Sequence, residues 1–123
     1  MGHDVFVLED DAANAKYICT ALESWGCSVT TASDGSSALQ ALEQAASFDL
    51  AVLDWSVPVI DGVQVLKKLR LDSRWNTLPV IMVSAHAFPE HRQECLSAGA
   101  DFFLAKPFDL DEFCQVVHAI LSK

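Results

Sequence analysis

Short apolar runs alternate along this chain with longer stretches in which apolar residues recur every three or four positions. Residues 50–53, Leu-Ala-Val-Leu, have no polar face, which is typical of a strand covered on both sides in a parallel sheet. Similar runs predict strands at residues 4–8, 27–32, 50–54, 80–83 and 101–105. Pro79 can only open the fourth strand because it has no N–H for the sheet ladder.

Helical patterns fill the intervals between these strands, at residues 12–25, 36–46, 63–71 and 89–98, and a last helix runs to Leu121. Gly26 and Gly99 stop two of them, and Pro89 suits a first helical turn. Asp109 and Glu112 have the spacing of a capping box. Five strands alternating with five helices predict an α/β fold, a doubly wound parallel sheet with helices on both faces. We find no linker or repeat, and expect one domain over residues 1–123.

The composition and charge of the chain indicate which partners and which cellular location to expect. The chain has 123 residues, of which 51% are hydrophobic, and carries 17 acidic against 8 basic residues. This acidic balance disfavours direct contact with nucleic acid or with an anionic membrane. There is neither an apolar span of about 20 residues nor a leader peptide, so we expect a cytoplasmic protein. The cysteines form no CxxC pair, and we predict buried free thiols at Cys19, Cys27, Cys95 and Cys114.

Four of the five predicted strands end in a functional group. Glu9 and Asp10 follow the first strand, Asp54 ends the third, Ser84 the fourth, and Lys106 follows the fifth. Ligands bind at this edge of an open α/β sheet. Carboxylates about 4 to 6 Å apart repel one another by roughly 2 to 4 kcal/mol per pair. The sequence therefore calls for cations here, and Lys106 together with Mg²⁺ (or Mn²⁺) is the natural set, since Mg²⁺ accepts a shell shared with water and phosphate.

A phosphoryl group fits such a site. With its oxygens held by metal and ammonium, the free carboxylate of Asp54 is placed to attack phosphorus and form an acyl phosphate, and Ser84 can donate a hydrogen bond to the same group. Each residue alone has an ordinary structural explanation, and Asp11 is expected to be only a helix N-cap. The combination at matching strand ends carries the inference.

The motifs VLEDD, LDWSVPVIDG, LPVIMVSA and GADFFLAKPF make residues 4–121 resemble the receiver domain of two-component response regulators, similar in extent to the single-domain chemotaxis regulators. The resemblance implies a (βα)5 flavodoxin-like fold. It also implies a set of roles: Asp54 as phosphoacceptor, Lys106 on the phosphoryl group, Ser84 as switch hydroxyl, and Mg²⁺ held by Glu9, Asp10, Asp54 and the Ser56 backbone carbonyl. A cis peptide bond is expected between Lys106 and Pro107.

The chain departs from the commonest family pattern in two places. Glu9 stands where Asp is frequent, and Phe103, the switch aromatic, stands where many members have Tyr. Because Phe cannot exchange a hydrogen bond, we expect switching at Phe103 to depend on packing. The resemblance also places Ser56 and His86 where side chains tune the lifetime of the acyl phosphate. We expect His91 and His118 to be surface residues.

The predicted function is a phosphorylation-dependent signalling switch of a two-component system or phosphorelay. The resemblance implies a histidine kinase or histidine phosphotransfer protein as donor, docked near the first helix, and a downstream protein target on residues 88–122. The chain is not expected to be an enzyme with a separate substrate; it is either a single-domain regulator or part of a longer hybrid protein.

Three alternatives have different requirements. A receiver-like interaction module that takes no phosphate would not need the intact set of Asp10, Asp54, Ser84 and Lys106. An aspartate-nucleophile phosphatase would need DxDx after the first strand, where this chain has Glu9-Asp10-Asp11-Ala12. A flavin binder would need a phosphate loop free of carboxylates there.

Overall fold

The computed structural model describes residues 2–45, 47–86 and 88–122, which form five strands and five helices in strict alternation. In chain order they are β1 (Asp4–Leu8), α1 (Ala12–Ser24), β2 (Ser28–Ala32), α2 (Gly35–Gln44), β3 (Leu50–Asp54), α3 (Gly62–Leu71), β4 (Val80–Ser84), α4 (Pro89–Ser97), β5 (Phe102–Ala105) and α5 (Leu110–Leu121). None of the helices in these ranges is long and apolar enough to cross a lipid bilayer.

All five strands lie in one parallel sheet with the order β2-β1-β3-β4-β5. Every strand therefore points its carboxyl end to the same edge. The chain reverses direction across the sheet after β2, and β1 and β3 become neighbours at the centre. In such sheets the crevice at this reversal is where ligands bind. The predicted doubly wound α/β fold is confirmed.

The two faces of the sheet are covered by different helices, because alternate residues of a strand point to opposite sides. Phe6 and Leu8 of β1 belong to a core cluster that includes buried residues of α2, α3 and α4. Val5 and Val7 belong to the other, which includes α1 and α5. Both β3 and β4 are buried along their whole length. Asp54 and Ser84, at the carboxyl edge, are therefore carried by the two fully buried strands.

Four helices begin at an aspartate whose side chain accepts backbone N–H groups of the first turn: Asp11, Asp34, Asp61 and Asp109. The predicted cap at Asp11 is confirmed. At α5, Asp109 accepts the Glu112 N–H at 2.7 Å. A complete capping box forms at α3, where the Gln64 side chain also accepts the Asp61 N–H. These caps fix the loops that precede the four helices, and all four loops lie at the carboxyl edge of the sheet.

Predicted boundaries differ from the structure by one or two residues. β2 begins at Ser28 rather than at residue 27, and β5 at Phe102 rather than at 101. Helix α2 ends at Gln44, and the predicted end at Ala46 lies outside the described residues. The four cysteines are free, as predicted; Cys27 and Cys95 are buried, whereas Cys19 and Cys114 are partly exposed. Burial raises the pKa of the Cys95 thiol to about 11, which keeps it protonated and unreactive.

The loop between α3 and β4 is anchored although its sequence is polar. Trp75 is buried against Phe48, with ring centroids 5.9 Å apart. The Arg70 guanidinium donates to the carbonyl oxygens of Gly99 and Trp75 at 2.8 and 3.1 Å. Arg70 therefore joins the end of α3 to the turn before β5.

Candidate functional site: an acidic cluster at the carboxyl edge

Three carboxylates meet where β1 and β3 end. Glu9, Asp10 and Asp54 each offer an oxygen, and these oxygens all lie within 4.8 Å of one another. Glu9 and Asp54 are both buried, at 3% exposure, whereas Asp10 is exposed. They converge because parallel pairing sets Leu8 beside Leu53, so that the residues that follow leave the sheet together.

Lys106 supplies the positive charge at this edge. It follows β5, and its Nζ lies 2.7 Å from Glu9 Oε1 and 2.8 Å from Asp54 Oδ2. The lysine side chain is largely covered, at 18% exposure. One ammonium thus bridges two buried carboxylates. The predicted cis peptide bond between Lys106 and Pro107 is present.

Burial and the neighbouring charges shift the pKa values of both Glu9 and Lys106. Burial is the largest cause that raises the pKa of Glu9, to about 7, and the nearby Asp54 adds to it, while the hydrogen bond from Lys106 opposes it. Burial alone would lower the pKa of Lys106, but its hydrogen bonds to Asp54 and Glu9 outweigh this and raise it. One lysine does not fully compensate the cluster, so the site favours a second cation.

A tight loop, residues 55–62, carries the backbone away from Asp54. The Trp55 carbonyl accepts both the Val57 and the Gly62 N–H, at 3.2 and 3.0 Å, which closes the loop at its base. Gly62 is required there, because a Cβ would lie 2.9 Å from the Asp54 carbonyl carbon and closer still to its oxygen. The Ser56 N–H donates to Asp54 Oδ1 at 3.2 Å. This bond holds Ser56 next to the carboxylate.

Ser84 is fully buried at the end of β4, and its Oγ accepts the backbone N–H of His86 at 2.9 Å. Because a hydroxyl both accepts and donates, its own O–H remains able to donate. Ser84 is the neighbour of Ala105 in the sheet, one residue before Lys106. Ser84 and Lys106 therefore lie side by side at the carboxyl ends of two adjacent strands.

The predicted switch aromatic, Phe103, is buried at 7% exposure beside Met82 in the sheet register. It is part of the core cluster on the side of α2, α3 and α4. Its surroundings are apolar, in keeping with a ring positioned by packing.

The expectation that His91 is a plain surface residue is wrong. His91 is partly buried, and its ring lies 5.4 Å from Trp55 in an edge-on contact and 5.6 Å from His86. Its Nδ1 is buried without a hydrogen-bond partner among the described residues. The sequence signal was weak, because a His two positions into α4 has no periodic pattern linking it to Trp55. His118 is exposed, as predicted.

The donor set matches a hard divalent cation. The three side chains offer oxygen only, and Mg²⁺ prefers oxygen ligands with several positions left to water or phosphate. Geometry thus brings together Glu9, Asp10, Asp54 and Lys106. The Ser56 N–H bonds to Asp54, and Ser84 ends the strand next to that of Asp54. The assembly can hold a cation beside a nucleophilic carboxylate.

Comparison with known proteins agrees with this geometry. The family model of the response regulator receiver domain matches residues 5–118. The phosphate regulon transcriptional regulatory protein PhoB of Escherichia coli K12 is 32% identical over 123 residues, which cover 100% of this chain and 53% of PhoB. This chain spans about half the length of the curated relatives it matches.

Solved structures give the same result. The receiver domain of sensor histidine kinase PA1611 from Pseudomonas aeruginosa superposes with a TM-score of 0.90 and 29% identity, covering 100% of both chains, and has a magnesium ion coordinated in its active-site cleft. The chemotaxis response regulator CheY4 of Vibrio cholerae has a TM-score of 0.91 and 28% identity, covering 98% of this chain and 99% of its own.

Proposed function

This chain belongs to the response regulator receiver domain family, a family of phosphorylation-dependent signalling switches, and we propose that Asp54 is the residue that accepts the phosphoryl group. The observation that carries the proposal is the position of its carboxylate: buried at the end of β3, 2.8 Å from an ammonium, and clustered with two further carboxylates. A carboxylate confined in this way has little solvation to lose before it attacks phosphorus.

The chemical step is a transfer between two covalent partners. A carboxylate oxygen of Asp54 forms a bond to phosphorus, the P–N bond of a donor phosphohistidine breaks, and the imidazole leaves with the bonding electrons. Lys106 then contacts a phosphoryl oxygen, for which its bond to Asp54 Oδ2 places it. In-line transfer of this kind depends mainly on positioning and on neutralising charge.

Mg²⁺ is the proposed cofactor, held by Glu9, Asp10, Asp54 and the Ser56 backbone carbonyl; Mn²⁺ has similar ligand preferences. When bound, the metal neutralises the charge that gathers on the phosphoryl oxygens. The acidic cluster supports this ligand set. Glu9 has one methylene more than Asp, so its contact with the metal is expected to pass through water.

Ser84 is the proposed switch hydroxyl. Its Oγ already accepts the His86 N–H, and its O–H can turn toward a phosphoryl group on Asp54. Such a turn pulls on the start of the loop that leads into α4. Phe103, packed in the core beside this strand, follows through a change of packing, because it has no hydroxyl to exchange.

The donor is proposed to be a histidine kinase or a histidine phosphotransfer protein. Next to Glu9 and Lys106 lies a largely apolar cavity of about 580 Å³, bordered by Ala13, Tyr17 and Phe108. Tyr17 is 45% exposed. Exposed apolar side chains beside the nucleophile form a surface that a protein donor can cover, and we assign the downstream protein target to residues 88–122.

We further propose that the chain is one domain over residues 1–123, that it turns over no separate substrate, that it acts in the cytoplasm, and that it makes no direct contact with nucleic acid or membrane. Its role is to carry the phosphoryl group and change the surface it offers. It acts either as a single-domain regulator or as part of a longer hybrid protein; the chain covers 53% of its relative PhoB.

Intact mass after incubation with acetyl phosphate tests the assignment. The wild type should gain about 80 Da in the presence of Mg²⁺ and lose it with hydroxylamine, as an acyl phosphate does. Asp54→Asn should gain nothing. Asp49→Asn is the matched control, because Asp49 precedes the same strand at the opposite edge of the sheet, where it is exposed.

A mass gain that persists in Asp54→Asn would show that Asp54 is not the phosphoacceptor. No gain in a folded wild type, either from acetyl phosphate or from a phosphorylated histidine phosphotransfer protein, would favour an interaction module. The intact constellation of Asp10, Asp54, Ser84 and Lys106 weighs against that second reading.

A further inference from the structure

Helix α2 touches the loop that leaves the acidic cluster. The carbonyl oxygen of Pro58, in the middle of that loop, accepts two backbone hydrogen bonds: one from Ile60 N–H at 3.0 Å and one from Gly35 N–H at 3.2 Å. Gly35 is the first residue of α2 and is distant in sequence from Pro58. The contact therefore supports the loop from outside, whereas Gly62 closes it from inside.

There is no room for a side chain at Gly35. A Cβ at this position would lie 2.6 Å from Ile60 Cβ and 2.7 Å from the Ile60 carbonyl carbon, and closer still to the carbonyl oxygen. These obstacles are mostly backbone, which cannot rotate away. Gly35 lies within a helix, so the need for glycine here comes from space alone.

The supported loop is itself under tension. Val59, between Pro58 and Ile60, has φ of 74° and is 79% exposed. A β-branched residue rarely adopts a positive φ, and the hydrogen bond from Ile60 N–H to Pro58 oxygen closes a three-residue γ-turn around it. A strained turn keeps its shape only where its surroundings hold it. Helix α2 supplies part of that support.

We propose that Gly35 is a positioning residue for the metal-binding loop: by admitting the Pro58–Ile60 turn against the start of α2, it sets the position of the Ser56 carbonyl. This inference rests on the proposed function, in which that carbonyl is a ligand of Mg²⁺. Gly35 itself touches neither metal nor phosphoryl group and acts through the loop. Trp55, Val57 and Ile60 pack against the core on the same side, so a displacement at Ile60 is passed along the loop.

The Gly35→Ala variant tests how far this support determines the affinity for Mg²⁺. Carbon atoms in contact are about 3.5 to 4.0 Å apart, so the loop would have to retreat by about 1 Å from the built Cβ position. Mg²⁺ demands ligands at about 2.0 to 2.1 Å in near-octahedral geometry. Loss of such outer support commonly lowers metal affinity by about 10- to 100-fold, and we expect the Mg²⁺ dissociation constant of Gly35→Ala to rise by at least tenfold.

Gly26→Ala is the matched control. Gly26 has φ of +87° and no atom within 4 Å of a built Cβ, and it lies between α1 and the start of β2, at the opposite edge of the sheet. Alanine there destabilises the fold through backbone conformation alone. Calorimetric Mg²⁺ titration is done at a temperature at which urea denaturation shows each variant to be fully folded. Gly26→Ala should then bind Mg²⁺ as the wild type does, whereas Gly35→Ala should not.

A second measurement uses the wild type and does not depend on how the variant folds. In a ¹H–¹⁵N NMR titration with Mg²⁺, the Gly35 amide signal should shift with the same dissociation constant that calorimetry gives, because its N–H is bonded to the loop. The Gly26 and Gly99 signals should stay in place.

Equal affinity of Gly35→Ala and the wild type, or a Gly35 amide that does not respond to bound Mg²⁺, would overturn the positioning role and leave the proposed function intact. A wild type that binds no Mg²⁺ by calorimetry would overturn the metal site and this inference together. Equal losses of affinity in the Gly26 and Gly35 variants would show a general effect of stability and also refute it.

Discussion

Replacing Asp54 by asparagine should make the metal-free protein more stable while it abolishes phosphorylation. Two buried carboxylates, Glu9 and Asp54, share one ammonium, and Asp10 adds a third charge within 4.8 Å of both. Repulsion between these carboxylates lowers the stability of the folded state. The sign of the effect follows from the balance between these Coulomb interactions and the cost of burying the Asp54 carboxylate.

Two opposing Coulomb terms involve the charge of Asp54. At an effective dielectric constant near 20, repulsion at the 4.8 Å limit is about 3.5 kcal/mol for each neighbouring carboxylate. Attraction to Lys106 at 2.8 Å is about 6 kcal/mol on the same scale. These terms nearly cancel, which leaves the desolvation of a buried carboxylate, several kcal/mol, against the imperfect hydrogen bonding of a buried amide, about 1 to 3 kcal/mol.

The net expectation is that Asp54→Asn unfolds with a free energy about 1 kcal/mol higher than the wild type, or a Tm about 4 °C higher for a domain of this size. Urea denaturation in EDTA measures it, at one pH above the Glu9 pKa of about 7, where Glu9 carries the full charge that this sum assumes. Saturating Mg²⁺, at 100 times its dissociation constant, should add about 2.7 kcal/mol to the wild type and less to the variant. A variant less stable than the wild type in EDTA would refute the reasoning.

Three further substitutions follow from the same structure. Lys106→Met should lower the free energy of unfolding by about 3 kcal/mol in EDTA, because it leaves two buried carboxylates unpaired, and Mg²⁺ should restore part of it in a thermal melt; unchanged stability in EDTA would contradict this. Val59→Gly should raise the free energy of unfolding by about 1 kcal/mol, because it releases about 1 to 3 kcal/mol of backbone strain. This gain exceeds the conformational-entropy cost of glycine, about 0.5 to 1 kcal/mol. A lower urea midpoint for the variant would argue against a strained turn. Phe103→Tyr should change binding of the downstream partner, measured by calorimetry, and leave the phosphorylation rate unchanged; a loss of phosphorylation would count against a role in switching alone.

Local patterns were sufficient to predict the fold. The apolar runs of β3 and β4 and the aspartates before the helices act within a few residues of one another, so their consequences are readable in one dimension. The meeting of Glu9, Asp54 and Lys106 was also predictable, because parallel strands deliver their ends to one edge. The biochemical roles of these residues remain predictions.

Contacts between distant loops were not predictable in the same way. Asp34 and Gly35 look like an ordinary helix start, and nothing in their neighbourhood indicates that the backbone of Ile60 lies against Gly35. His91 was misplaced for the same reason: its contact with Trp55 joins α4 to the end of β3 across the sheet edge. Only the folded chain shows which surfaces meet.

The edge-on contact between Trp55 and His91 equips the protein with its own optical probe. The indole adjoins the acidic cluster, whereas Trp75 is sealed in the core beside Phe48 and Trp25 lies against Phe113. Because indole emission depends on what contacts the ring, we expect the emission of Trp55 to change when its contact with His91 or the charge on Asp54 changes. A Trp25→Phe, Trp75→Phe double variant would leave Trp55 as the single tryptophan, and its emission would report on the contact with His91 of α4 in real time and without a label.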